Sequence, residues 1–280
     1  MQNTQPLRSL DSLNAPPSPA VQQVLAKEKS FWTIWSIGGL IFAIAVLIYS
    51  GILSDLSFVE LIEGVGAMAN LVGKFFPPDF TRWWVYFQAT IETIAMGIWG
   101  TLLAVFVAVP LSILASENVC PNWIVFPVRR LLDAMRAINE LVFALIFIVA
   151  VGLGPFAGVL ALFVHTTGTL GKLFSEAIEA IDPGPVEGIR ATGASKVQEV
   201  VFGVIPQVIP LWTSFTLYRF ESNVRSASVL GIVGAGGIGV ALVQNFRAFN
   251  YQNVCAILII LVVTVSLIDT ISARIRNSLV

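Results

Sequence analysis

From residue 31 onward the chain alternates long uncharged apolar runs with shorter polar connections. Residues 31–51, 93–115 and 251–268 contain no Asp, Glu, Lys or Arg. Each is long enough to cross a hydrocarbon layer of about 30 Å, which takes roughly 20 helical residues. Residues 141–171 are also uncharged but too long for one crossing. Gly152-Leu153-Gly154-Pro155 divides this run into two helices joined by a tight turn, because proline cannot continue a helix. A further span is expected over residues 205–220. Period-2 alternation is absent, and only helices otherwise satisfy every backbone group inside lipid. The pattern therefore predicts an all-α, polytopic transmembrane helical bundle of about six spans.

Composition supports lipid as the solvent. Charged residues make up 12% of the chain and apolar ones 56%, whereas soluble domains carry about 25% charged residues. A net charge of −1 provides no basic stripe for nucleic acid. Cys120 and Cys255 lie far apart in apolar surroundings and read as small buried hydrophobes rather than as a disulfide or metal pair. His165 is the single histidine, so no metal or cofactor is expected. Residues 1–30 are polar and contain Ala15-Pro16-Pro17-Ser18-Pro19, the pattern of a cytoplasmic tail without fixed structure. They do not read as a cleavable signal, since the first apolar run starts late, is long and lacks a small-residue cleavage site. Residues 31–84 are expected to hold the first span and a helix along the outer membrane surface, with Trp83-Trp84 as an interfacial anchor. Residues 85–278 then form the main transmembrane domain.

Lys and Arg placement sets the orientation. With both termini cytoplasmic, Lys27, Lys29, Arg129, Arg130, Arg190, Lys196, Arg274 and Arg276 fall on or near the inner side. Lys74, Arg82 and Arg247 fall outside, and Arg219 and Arg225 near the outer end of the fifth span.

Residues 175–203 form the longest polar stretch between spans, on the cytoplasmic side in this orientation. Asp182-Pro183-Gly184-Pro185 ends one helix and starts another, with Pro185 suited to the first helical position and Glu187 to the first turn. Gly193 interrupts, Ala194-Ser195 restarts, and Pro206 stands at the entry to the next span. Two short helices at an angle would project from the membrane and could dock into a groove on a cytosolic partner.

Several polar residues sit within or beside the spans. Arg129, Asp133, Arg136 and Glu140 are spaced four, three and four apart, which puts them on one face of a helix. Either Arg136 lines a pathway for an anion, or these charges neutralise one another. Glu221 and Arg225, four apart, admit the same two readings. His165-Thr166-Thr167 falls in the fourth span, where an ionisable residue is a functional candidate and a hydrogen-bonded packing role is the competing reading. Gly234-Ala235-Gly236-Gly237-Ile238-Gly239 matches the dinucleotide pattern Gly-x-Gly-x-x-Gly. No Asp or Glu follows until Asp269, however, and no strands alternate around it, so a nicotinamide-dependent enzyme is disfavoured. The run reads better as an outward-facing loop between the last two spans, with Gly234, Gly236, Gly237 and Gly239 serving a gate, a binding-protein contact or close helix packing. An ATP site is also missing, since Gly73-Lys74 and Gly171-Lys172 are followed by Phe and Leu rather than Ser or Thr. The chain is thus expected to be no enzyme, and its energy must come from another subunit.

Glu187, Gly193 six residues on and Pro206 thirteen further resemble the cytoplasmic Glu-Ala-Ala loop of bacterial ABC importer permeases. Ile205 holds the aliphatic position, while Gly188 and Ile189 replace the two alanines and Gly203 the usual Ile. Arg136-Ala137-Ile138-Asn139-Glu140, the segment Glu187-Gly188-Ile189-Arg190-Ala191-Thr192-Gly193-Ala194, and Tyr218-Arg219-Phe220-Glu221-Ser222-Asn223-Val224-Arg225 resemble the phosphonate permeases more closely, as does Val233-Gly234-Ala235-Gly236-Gly237-Ile238-Gly239. The resemblance covers roughly residues 85–278. It implies a type I ABC importer permease in the bacterial inner membrane, pairing with a second permease, identical or homologous. Two cytoplasmic ABC ATPases and a periplasmic phosphonate-binding protein would complete the complex. The implied cargo is a phosphonate, phosphite or phosphate ester. The implied ATPase contact is Glu187, Gly188, Arg190, Gly193, Ala194 and Pro206. Candidate pathway residues are Arg136, Asn139, Glu140, His165, Thr166, Arg219, Glu221 and Arg225. An importer for another small solute, such as an amino acid, would share this architecture. A non-transporting membrane scaffold would share the hydropathy but would not need the helix pair.

Overall fold

A computed structural model describes residues 19–279. The expected form of residues 1–18 lies outside the described residues. The chain divides into two compact units, Met1–Met68 and Ala69–Val280. The first contains α1 (Pro19–Leu53) and most of α2 (Phe58–Gly73). α1 starts inside the stretch expected to be a polar tail. Its Ala, Gln, Lys and Glu residues are good helix formers, so the apolar span is extended backwards at little cost.

In the second unit, α3 (Trp83–Leu114), α4 (Asn122–Ala137), α5 (Glu140–Val151) and α6 (Pro155–Glu179) are followed by α7 (Pro183–Ala191), α8 (Lys196–Gln198) and a π-helical turn (Glu199–Val204). Then come α9 (Ile205–Leu230), a 3-10 turn (Gly231–Val233), α10 (Ile238–Arg247) and α11 (Tyr251–Leu279). No strand occurs among the described residues. Five helices are long and apolar enough to cross a membrane, or six crossings if α4 and α5 count as one broken span.

α3 and α6 make the most extensive packing of the unit, and α9 packs on both. Gly97, Gly100, Ala104 and Ala108 of α3 are buried at helical spacing, so neighbouring backbones can approach closely. Towards the α7 end the core is aromatic, with Phe174 stacked on Trp212 at 4.7 Å between ring centroids and Trp212 Nε1 donating to the Phe174 carbonyl at 3.3 Å. Between these regions three helices are joined by buried polar side chains. Thr166 Oγ1 donates to Asn223 Oδ1 at 2.9 Å, and Asn223 Nδ2 donates to Thr101 Oγ1 at 2.8 Å. Trp99, Phe106, Val149 and Val262 turn outward, an apolar surface suited to lipid or another subunit.

Two expectations about the helices are corrected. The run from Arg129 to Glu140 is not one helix: α4 and α5 meet at 88°. Ile138 is extended, and the Asn139 side chain caps α5 by accepting from the Leu141 N–H at 2.9 Å. Glu140 therefore does not share a helical face with Arg129, Asp133 and Arg136. The fifth span also continues to Leu230, ten residues past its expected end. Arg219 consequently stands in the middle of its helix rather than near the outer end.

Candidate functional site

The polar stretch after α6 folds into a tied hairpin. Asp182 caps α7, its Oδ1 accepting from the Gly184 N–H at 2.9 Å. Pro183, not Pro185, takes the first helical position, so Glu187 falls in the second turn rather than the first. A proline at either position would fit the sequence; the Asp182 cap selects the earlier one. Gly193 then adopts φ +86°, a left-handed conformation that a side chain resists. Ser195 opens the return in a capping box with Gln198, the Ser195 N–H donating to Gln198 Oε1 at 2.8 Å. Gln207, in the first turn of α9, accepts from the Asp182 N–H and donates to the Asp182 and Gly203 carbonyls. That side chain locks the base of the hairpin to the span that follows.

Glu199 holds the two arms together. It is only 5% exposed, and its carboxylate accepts two bonds from Arg190 at 3.0 Å and one from Lys196 at 3.1 Å. The hydrogen bond to Glu199 raises the pKa of the Arg190 guanidinium further above its usual range. Glu199 was not among the expected site residues; an acid between two cations in a polar loop was its only signal. Glu187, Gly188 and Gly193 are exposed on the hairpin, as is Arg190 while it bonds Glu199, with Ala194 half-buried and Pro206 exposed in the first turn of α9. Behind the hairpin lies a cavity of about 350 Å³ bordered by Val119, Ile181, Val186 and Val204. At the base Arg129 bridges Glu117 at 2.7 Å and Glu179, and its Nε donates to the Ala115 carbonyl at 2.9 Å. Arg129 thus ties the α3–α4 turn to the end of α6.

A second polar group gathers at the α4–α5 break. His165 of α6 bonds through Nδ1 to the Ile138 carbonyl at 2.9 Å, which the break leaves free of a helical partner. Its Nε2 stands 3.7 Å from Glu140 Oε2. Ser226 of α9 donates to Glu140 Oε1 at 2.7 Å, and Arg219 acts on Glu140 through its charge. Asn139, Glu140, Ser222, Arg225 and Ser226 line a cavity of about 320 Å³ here.

Of the expected pathway residues, Asn139, Glu140, His165, Arg219 and Arg225 are brought near one another. The others are not. Arg136 is exposed and pairs with Asp133 at 2.8 Å, which favours neutralisation within α4. Thr166 belongs to the buried Asn223 network. Glu221 and Arg225 do not pair with each other: Glu221 meets Arg276 at 3.2 Å and Arg225 meets Asp269 at 3.3 Å, both on α11. Helical spacing suggested partners within α9, and the adjacent α11 supplied them instead.

The glycine run is clasped by α3. The Gly237 N–H donates to Glu92 Oε1 and the Ile238 N–H to Thr93 Oγ1, each at 2.8 Å. The Gly154 N–H donates to the Gly234 carbonyl at 3.1 Å, joining the α5–α6 turn to the same loop. Neither Glu92 nor Thr93 was anticipated. The signal was a lone carboxylate one residue before an uncharged run of 23 residues.

Several helices long and apolar enough to cross a membrane, with polar side chains between them and a tied hairpin joining two of them, define a multi-pass membrane protein. The chain belongs to the family of binding-protein-dependent transport system inner membrane components, which matches residues 108–280. It is therefore a transport subunit of the inner membrane. It is 42% identical over 223 residues to the phosphite transport system permease protein PtxC of Stutzerimonas stutzeri, covering 79% of this chain and 81% of that protein. It is 64% identical over 118 residues to the putative cryptic phosphonate transport system permease protein PhnE2 of Escherichia coli strain K12, covering 42% and 97%. A chain of the inward-facing MetNI methionine ABC transporter superposes with a TM-score of 0.63 at 22% identity, covering 72% and 99%. The fold is that of a type I ABC importer permease.

Proposed function

We propose that this chain is the permease subunit of an ATP-driven importer that moves phosphonate, phosphite or a related phosphorus oxyanion across the bacterial inner membrane. The similarity to PtxC and PhnE2 supports the cargo class. In this reading the chain pairs with a second permease, the pair binds two cytoplasmic ATPases with this hairpin docking to one of them, and cargo is received from a periplasmic binding protein. Both termini and the hairpin lie on the cytoplasmic side, and α2 lies along the outer surface. The loop over Gly234, Gly236, Gly237 and Gly239 serves the outer gate.

The observation that carries the coupling role is the clamp on Glu199. A loop that only linked two spans would have no use for three charges joining its arms. A lever that transmits force needs such stiffness. Its outer surface bears Glu187, Gly188 and Gly193, while its base is fixed to α9 by Gln207 and continues directly from α6. Motion of a docked ATPase would thus reach both spans as a rigid-body displacement.

Gly188 gives the test, because it is exposed on α7 in ordinary helical backbone and its Cβ position meets open space, whereas Gly193 at φ +86° would be strained by any side chain. Replacing Gly188 with Leu is expected to leave the protein in the membrane and abolish phosphonate uptake by whole cells. Uptake at the wild-type rate would contradict the coupling role.

A further inference from the structure

We propose that the Arg219 guanidinium is the contact a translocating oxyanion makes at mid-membrane, an inference that rests on the cargo class proposed above. Arg219 lies fourteen residues after the start of α9 and eleven before its end. At 1.5 Å per residue it is ~21 Å from one end and ~16 Å from the other, near the centre of a hydrocarbon layer of about 30 Å. A cation at that depth is costly. It persists where it faces the bundle interior or a wet cavity, and it marks pathways for ions and substrates.

Nearby charges of α5 and α9 are all engaged: Glu140 with Ser226 and His165, Glu221 with Arg276, and Arg225 with Asp269. Arg219 forms no salt bridge among the described residues, and its buried Nε has no hydrogen-bond partner. A guanidinium carries five donors in a planar fork and stays charged. Leaving it unmatched inside a membrane protein is unfavourable unless something else occupies it for part of the cycle.

Ser222 and Ser226 follow Arg219 at three and seven residues, so all three lie along one side of α9. The two serines line the cavity of about 320 Å³ together with Asn139 and Glu140. Arg219 is not itself in that lining and stands one helical turn before Ser222, so its guanidinium and the Ser222 hydroxyl follow one another along α9 towards the open space, with the Ser226 hydroxyl engaged by Glu140. Two oxygens of a phosphonate or phosphite match the guanidinium fork. Glu140 supplies the complement: it is within electrostatic reach of Arg219 yet not bonded to it. It repels the anion and keeps the contact weak, and conduction needs sites that bind and release.

The competing role is purely electrostatic, with Arg219 serving as the distant counter-charge of Glu140. Uptake of labelled methylphosphonate by proteoliposomes holding the complete transporter separates the two. Arg219→Gln is expected to co-purify with the ATPase subunits and to lower uptake by at least about tenfold, the fork being lost. Glu140→Gln combined with Arg219→Gln is expected to stay as low. Recovery of uptake in that double variant, or wild-type uptake by Arg219→Gln alone, would overturn the proposal. If Arg219→Gln does not assemble, Arg219→Lys decides, since it keeps the charge without the fork. A raised half-saturating methylphosphonate concentration supports the contact, and an unchanged one overturns it. A wild-type complex that drives another solute but no phosphorus oxyanion removes the functional reading and this contact together. A defect confined to the Arg219 variants bears on the contact alone.

Discussion

A methyl group on Gly239 would fall 2.0 Å from the Ser228 carbonyl oxygen, with the Gly231 backbone also closer than van der Waals contact. The start of α10 can lie against the end of α9 only because both positions lack a side chain. Gly239→Ala must therefore push backbone against backbone, and overpacking of this kind costs about 1–3 kcal/mol. A lowered thermal unfolding midpoint in detergent is expected; an unchanged midpoint would show that the contact is slack. The glycine run was legible as a place of close approach. The Glu92 carboxylate that fastens it was not, because Gly237 lies 145 residues further along the chain and no local pattern links them. Arg219 repeats the lesson. Its presence in a span was visible, but its depth depended on where α9 ends.

Among the elements, the hairpin shows how far spacing carries. Glu187, Gly193 and Pro206 located it, and Asp182-Pro183-Gly184-Pro185 marked the start of its first helix, placed two residues late at Pro185. The clamp that stiffens it was invisible, since the cations of Arg190 and Lys196 could equally have faced solvent or an ATPase. Glu199→Ala removes the shared acceptor and leaves two cations facing each other between the arms. Uptake is expected to fall at least severalfold, and susceptibility of residues 190–200 to protease to rise. Wild-type uptake with a protease-sensitive hairpin would mean that stiffness is not needed for coupling. The broken crossing was misjudged for a related reason. Charges at 129, 133, 136 and 140 fit a continuous helix, and the decisive signal was Asn139, whose side chain satisfies the Leu141 N–H and so favours a new start over continuation.

For the molecule as a whole, hydropathy was a sufficient guide to class. Long uncharged runs fixed the number of crossings to within the one broken span, because a backbone in lipid has few alternatives to a helix. Partner residues across helices were least accessible: Arg276 for Glu221, Asp269 for Arg225 and Ser226 for Glu140 all come from packing order, which local periodicity does not encode. The proposed membrane pathway for an oxyanion and the proposed grip of an external motor on the hairpin each require the other. The direct test is accumulation of labelled phosphite or methylphosphonate by proteoliposomes containing this chain, its partner permease and the ATPase subunits, with binding protein on one face and ATP on the other. Accumulation that depends on both ATP and binding protein is predicted. Accumulation without ATP, or none of either anion from a fully assembled complex, would contradict the account.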